Sequence, residues 1–372
     1  MFAWLAPILL AHAPVDSSAI DKAVEAAIRR GDCPGAVVVV LHNERVILRK
    51  AYGNRAVEPE KAAMTADAIF DLASLTKPIA TGTSLMLLIE QGKLRPEDKV
   101  AKHWPAFAAN GKQDVTVAHL MLHTSGLIAD NDIADYKDGR AKAMERIAAL
   151  KLQAPLGSRF RYSDVGFIVL GELVERIGGM PVDRFAEERV FKPLKMADTG
   201  FKPAASLQAR IAPTGKRNGR IILGEVHDPR AFAMGGVAGH AGLFAPADDL
   251  VRYCRMMLRM GELDGVRILK PETVKFFTAS HEVLPEKLPK LPRNFFRSYG
   301  WDVDTAYSGQ RGSVFPAGEG YGHTGFTGTS IWIDPKSQIA VIILTNRVHP
   351  ADKGSVIRIR REVADAAAAL VK

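Results

Sequence analysis

A serine followed three positions later by a lysine, Ser74-Leu-Thr-Lys77, is the pattern in this chain best suited to acyl chemistry. One helical turn stacks two such residues on the same face, within reach of each other. A serine hydroxyl is a poor nucleophile until a neighbouring base takes its proton. Lysine becomes that base when burial or nearby cations lower its pKa. Asp71-Leu-Ala leads into an apolar run over residues 75–91, so the pair sits where a helix begins, with Pro78 acceptable in its first turn. Partial positive charge and unpaired N–H groups at a helix start favour a developing oxyanion. A second element is Tyr162-Ser163-Asp164, just ahead of a helix predicted from residue 165. A tyrosine held close to Lys77 would accept the Ser74 proton and donate one to the leaving group. The third is His323-Thr324-Gly325, immediately before the last hairpin. Small residues there let a substrate lie along an edge strand, and one N–H from that strand plus the N–H of Ser74 would make an oxyanion hole.

The elements that must hold these groups are legible from periodicity. Ile20, Ala23, Val24, Ala27 and Ile28 recur at three and four, predicting an amphipathic helix over 16–30 that stops at Gly31. Two β-rich runs, 36–41 and 45–52, flank His42-Asn43-Glu44 and read as a hairpin. Helices are predicted over 75–91, 116–123, 141–150, 165–177 and 248–260. Strands return at 329–333 and 338–345, and a helix over 356–370 closes the chain. The fold class expected is therefore α+β. A largely antiparallel sheet is assembled from both termini and flanked by helices, with a large, mainly helical inserted lobe. The expected division is a single catalytic domain over 14–372, its sheet lobe being 14–53 and 311–372 and its helical lobe 54–310. A cleft between the lobes is the default ligand site. The proline-bearing run 283–293 reads as a surface loop.

Composition excludes several classes. Of 372 residues, 47% are apolar and 24% charged, which argues against disorder. The net charge of +9 is scattered, and its densest cluster, Arg358-Ile-Arg360-Arg361, reads as a solvated helix face, so no nucleic-acid partner is expected. Cys33 and Cys254 have no metal-ligand spacing. No apolar run reaches the length of a membrane span, so no stable membrane insertion is expected. Residues 1–13, ending in Ala11-His-Ala13, read as a signal segment without a basic start, favouring a periplasmic or secreted protein with the cytoplasm left open. Gly320-Tyr-Gly322-His-Thr-Gly325 fits a dinucleotide fingerprint, but a β-rich run follows it where a helix is required. His119 and His123 have zinc-protease spacing without the adjoining glutamate, so His119 reads as a packing or helix-surface residue. Residues 239–242, Gly-His-Ala-Gly, read as a structural loop more readily than a catalytic one.

Taken in order, S-x-x-K, Tyr-Ser-x and x-Thr-Gly resemble the serine β-lactamase and penicillin-binding-protein superfamily, for part of which S-x-x-K and K-T-G are signatures. The resemblance extends over most of residues 16–370, through Phe70-Asp-Leu-Ala-Ser-Leu-Thr-Lys77, Leu120-Met-Leu-His-Thr-Ser-Gly-Leu127, Phe160-Arg-Tyr-Ser-Asp164 and His323-Thr-Gly325. The tyrosine-based second motif is similar to the class C β-lactamase, D-Ala carboxypeptidase and family VIII esterase branch. Residues 227–231, 239–244 and 344–350 resemble periplasmic penicillin-binding esterases. This resemblance implies a β-lactamase/transpeptidase-like fold, a serine hydrolase working through an acyl-enzyme, and no cofactor or metal. It implies Ser74 as the acylated nucleophile, Lys77 as its proton acceptor, Tyr162 as shared acid and base, and the Phe326 N–H as second oxyanion donor. His323, Thr324 and Gly325 would line the substrate strand. Asp164 stands where the family usually has asparagine. An ionised aspartate cannot donate to a substrate amide and would keep Lys77 protonated, which shifts weight to Tyr162 and lowers the expectation of β-lactam turnover. Arg347 is a candidate for a substrate carboxylate, although a plain strand-end role reads more readily. Small carboxylic esters are the first substrate expectation, followed by D-alanyl-D-alanine or other D-amino-acid peptides and then β-lactams. A sensor that acylates and stalls is the rival from another class.

Overall fold

The computed structural model describes residues 15–285 and 295–371. Inside the main sheet lies strand Gly35–His42, whose residues alternate between two cores because successive side chains point to opposite faces. Val37, Val39 and Leu41 join the larger core, while Ala36, Val38 and Val40 join the smaller. A strand covered on both faces has no polar side to show, which explains the unbroken valine run. Helix Ser18–Arg30 and the closing helix Ile357–Ala369 cover one face, and helix Ala247–Leu258 covers the other. Gly31 ends the first helix in the left-handed region, φ 78°, its N–H reaching Ala27 O and Ile28 O.

The two ends of the chain meet in this sheet. Gly35–His42 pairs antiparallel with Ile339–Thr345 on one side, from Ala36 opposite Thr345 to His42 opposite Ile339, and with Arg45–Ala56 on the other. From one edge the nine strands run His281–Val283, Phe295–Arg297, Asp302–Asp304, Tyr321–Thr324, Ser330–Asp334, Ile339–Thr345, Gly35–His42, Arg45–Ala56 and Ala62–Ala63. Four of these short strands come from the stretch that the sequence assigned to the helical lobe. They hold two or three residues each, several of them charged, so they carry no alternating apolar signal. Residues 1–13, and all but the first three of 283–293, lie outside the described residues; Val283 ends the edge strand.

The serine-bearing run departs from the regular helix expected over 75–91. A 3₁₀ turn, Ala73–Leu75, leads into a wider π turn, Lys77–Gly82, and only then into α-helix Thr83–Glu90. Pro78 brings no N–H to this turn, and its carbonyl accepts from the Thr83 hydroxyl at 3.1 Å. Helix Asp164–Gly178 packs against this run. It is capped by Ser163, whose Oγ accepts from Gly166 N at 3.0 Å, and ends at Gly179, φ 76°.

Candidate active site

Ser74 sits on a turn that is fastened on several sides. Ala73, just before it, has φ 46°, an uncommon conformation for a residue with a Cβ. The buried carboxylate of Asp71 holds it there, accepting from Ala73 N at 2.8 Å and from His227 N at 2.7 Å. Burial pushes the Asp71 carboxyl up to about 6 in spite of those two N–H groups. The carbonyls of Asp71 and Leu72 accept from the hydroxyls of Thr327 and Thr329 at 2.7 and 3.0 Å. Those threonines lie on the turn after strand Tyr321–Thr324, so the serine turn and the Phe326 backbone are locked side by side. Gly325 makes that approach feasible, since a Cβ there would stand 2.2 Å from Thr329 Oγ1 and 2.4 Å from Leu72 O. No local pattern marks Asp71 as a clamp, because its hold on the turn joins residues 71 and 227 only in the folded chain.

Lys77 is fully buried beneath the serine. Its Nζ lies 3.0 Å from Ser74 Oγ, 2.6 Å from Asp164 Oδ1 and 3.1 Å from the carbonyl of His240, and 4.9 Å from the centre of the Tyr162 ring. Burial is the strongest influence on Lys77 and opposes its charge, but Asp164 and Tyr162 outweigh it and the pKa is raised. Tyr162 is raised as well. Burial leads, Lys77 pulls the other way, and Asp164 disfavours a phenolate. Lys77 is therefore held as an ammonium against Asp164, beside a neutral phenol.

His240 takes part through its backbone. Gly239 lets the segment press against helix Asp164–Gly178, where a Cβ would meet Phe167 O at 2.0 Å, and its carbonyl accepts from Thr81 at 2.7 Å. The His240 ring turns away to Asp228 at 3.0 Å. Asp164, Asp228 and His240 present donor atoms within 4.8 Å of one another, and Lys77 Nζ supplies a cation to this group. The sequence read residues 239–242 as a structural loop, and the atom that reaches Lys77 is a carbonyl, which every residue type carries.

Ser74, Tyr162, His323, Thr324, Gly325 and Phe326 line one cavity of about 390 Å³. Lys77 and Asp164 stand behind it, so the eight candidate residues from the sequence converge. One expectation is corrected: strand Tyr321–Thr324 is not an edge, because Asp302 pairs with Gly322 on its far side. That single pairing stops short of His323 and Thr324, both of which face the cavity. His323 Nδ1 faces its neighbour's carbonyl, Thr324 O, at 2.8 Å and so carries the proton. Burial, followed by the charges of Arg297 and Lys77, holds its pKa well below 6.5, so the ring is neutral.

Three arginines share the cavity wall. Arg297 is 1% exposed and pairs with Asp302 at 3.2 Å. Arg347 reaches Asp352 and the carbonyl of Gly354, and its guanidinium lies 4.6 Å from the centre of the Phe326 ring. Arg360, read from sequence as part of a solvated face, is buried and donates to the carbonyls of Gly325 and Thr329 at 2.9 and 2.8 Å. Burial, with Arg347 nearby, lowers its pKa to about 9. The sequence reading fails here because Arg360 projects from the inner face of its helix. His119 is a capping residue: Thr116 Oγ1 accepts from His119 N, and His119 Nδ1 accepts from Thr116 N.

Fold, motifs and family together make this chain a serine hydrolase. The family model described as Beta-lactamase matches residues 20–366, and the chain belongs to that family. It is 32% identical over 352 residues to an Escherichia coli K12 protein named "Putative D-alanyl-D-alanine carboxypeptidase", a match covering 85% of this chain and 79% of that protein. It is 34% identical over 367 residues to a Bacillus subtilis protein named "N-acetylmuramyl-L-alanine amidase", covering 89% and 80%. Among solved structures, EstCE1, described as a hydrolase with promiscuous acyltransferase activity, superposes with a TM-score of 0.75 at 24% identity over 94% of this chain and 98% of that one. No helix among the described residues is long and apolar enough to cross a membrane.

Proposed function

We propose that Ser74 attacks a carbonyl carbon to give an acyl-enzyme that water then hydrolyses. One observation carries this reading: Lys77 Nζ, shielded from solvent, bridges Ser74 Oγ at 3.0 Å and Asp164 Oδ1 at 2.6 Å. As Ser74 bonds to the carbonyl, its proton passes to Lys77 while Lys77 gives one to Asp164. Neutral Tyr162 donates to the departing group and regains its proton from the Lys77–Asp164 pair, so the protons balance over acylation. Water follows the same route in reverse order to release the acid. The N–H groups of Ser74 and Phe326 would receive the oxyanion. The raised pKa of Tyr162 favours its role as acid over that of first base.

Two substrate readings are supported. The arginine wall beside Ser74 suits a peptide-like amide ending in a carboxylate, and the names of the carboxypeptidase and amidase relatives point the same way. Small carboxylic esters, the first expectation from sequence, are supported by the open cavity at Ser74 and the esterase-like motifs. The test is one panel on purified protein: p-nitrophenyl butyrate, a D-alanyl-D-alanine peptide and nitrocefin, each with intact-mass detection of an adduct. Turnover that Ser74→Ala lowers by about 10³-fold or more supports the nucleophile. A variant keeping more than a few per cent of activity overturns it. A lasting penicilloyl mass without turnover would instead make the protein a sensor. We place its action outside the cytoplasm because of the signal-like residues 1–13; cell fractionation with N-terminal sequencing tests this.

A further inference from the structure

We propose that His123 is the positioning residue for Tyr162, gripping the chain on both sides of the phenol and packing against its ring. The inference rests on the reading of Tyr162 as the proton-transfer group. Three contacts converge. The carbonyl of His123 accepts from Arg161 N at 2.8 Å. Its Nδ1 accepts from Ser163 N at 3.0 Å. Its ring lies against that of Tyr162, centres 4.6 Å apart and planes 31° apart. The residues before and after Tyr162 are thus bound to one histidine, and the ring between them rests on its imidazole.

The local backbone is shaped for this grip. His123 follows helix Val117–Met121 with φ 58°, a left-handed conformation in which histidine is among the more frequent side chains. That turn directs both the His123 carbonyl and the ring toward residues 161–163. The contact continues beyond it, with Ser163 Oγ donating to Ile128 O at 2.7 Å and Asp164 N to Ala129 O at 2.9 Å. Phe167 closes on the imidazole from helix Asp164–Gly178, centres 5.1 Å apart, and Phe160 meets it edge-on at 5.9 Å.

The hydrogen bond also selects the tautomer. A backbone N–H only donates, so Nδ1 must hold a lone pair and the proton sits on Nε2. That Nε2 is buried and has no partner among the described residues. A phenylalanine would fill the same place without an unmet donor, so packing alone does not account for an imidazole here. The acceptor at Nδ1 does.

The test is a double-mutant cycle measured with a chromogenic ester. His123→Ala, which removes both ring and acceptor, is expected to lower kcat by about 10²-fold while KM stays within about threefold. In a Tyr162→Phe background, His123→Ala is expected to lower the residual kcat by less than about threefold, because the group it positions is gone. His123→Asn keeps an acceptor in place of Nδ1 and tolerates the left-handed backbone, and His123→Phe keeps the ring. Each is expected to recover part of the loss. Circular dichroism and melting curves confirm that every variant folds. An equal loss of kcat in both backgrounds overturns the proposal and assigns His123 to general stability. Full activity in Tyr162→Phe alone overturns the Tyr162 reading itself, a result separable from the first.

Discussion

The Lys77 ammonium and the Asp164 carboxylate lie 2.6 Å apart, with Lys77 fully buried and Asp164 20% exposed. The pair places a positive charge directly beneath the Ser74 hydroxyl, and in the proposed mechanism Asp164 takes the proton that Lys77 passes on.

Replacing Asp164 by asparagine removes the main influence that raises the Lys77 pKa and leaves burial, which lowers it. Asparagine cannot take the proton that Lys77 passes on, so ester turnover in Asp164→Asn must start from a neutral Lys77, and its kcat/KM is expected to show an acid limb set by Lys77 and displaced from that of the parent. Nitrocefin hydrolysis is expected to rise, because the amide can donate to a lactam side chain where the carboxylate cannot. A pH–rate profile of each protein on both substrates checks this. An unmoved acid limb removes Asp164 from the proton path, and unchanged nitrocefin turnover rejects it as the lactam barrier.

Gly325→Ala forces a Cβ to within 2.2 Å of Thr329 Oγ1 and 2.4 Å of Leu72 O, so the turn bearing Phe326 must move from the serine turn. The expected outcome is a fall of about 10²-fold in kcat, the scale of losing one oxyanion donor, with KM changed much less. Steady-state kinetics on an ester decide the point. A variant within about threefold of the parent would remove the Phe326 N–H from the oxyanion site.

Stability is expected to fall as pH drops below 6.5. His123 and His323 are held neutral in the folded protein, mainly by burial and next by Arg297, with pKa values well below 6.5. The unfolded chain binds those protons more readily, so their contribution is fully present above pH 6.5 and is lost as pH falls toward the folded values. Each histidine adds a slope of up to about 1.4 kcal/mol per pH unit. Asp71 works in the opposite sense: its raised pKa, about 6, makes stability increase as pH falls through that value. Urea unfolding between pH 7 and 5, comparing the parent with His123→Asn, isolates one histidine. Equal slopes in the two proteins would mean that His123 is not held neutral.

The sequence alone determined the candidate reacting groups and the frame of the sheet. Ser74 and Lys77 are three residues apart, a spacing that puts them within reach of each other on one helical turn. The valine run at 37–40 and the apolar run at 339–345 announced the central strands, because burial on both faces leaves an unbroken apolar pattern. Tyr162, His323 and Phe326 were legible only through their motifs, since no local rule joins residues so far apart. The motif pointed to Asp164 holding Lys77 protonated, and only tertiary structure supplied the contact, Asp164 arriving at 2.6 Å across the packing of two helical segments. Tertiary structure also decided the parts played by backbone atoms, the His240 carbonyl on Lys77 and the His123 carbonyl on Arg161, which leave no trace in residue type. Arg360 moved from an expected solvent face to the wall of the site for the same reason: burial and partnership are properties of the packed chain, and composition and spacing do not specify them.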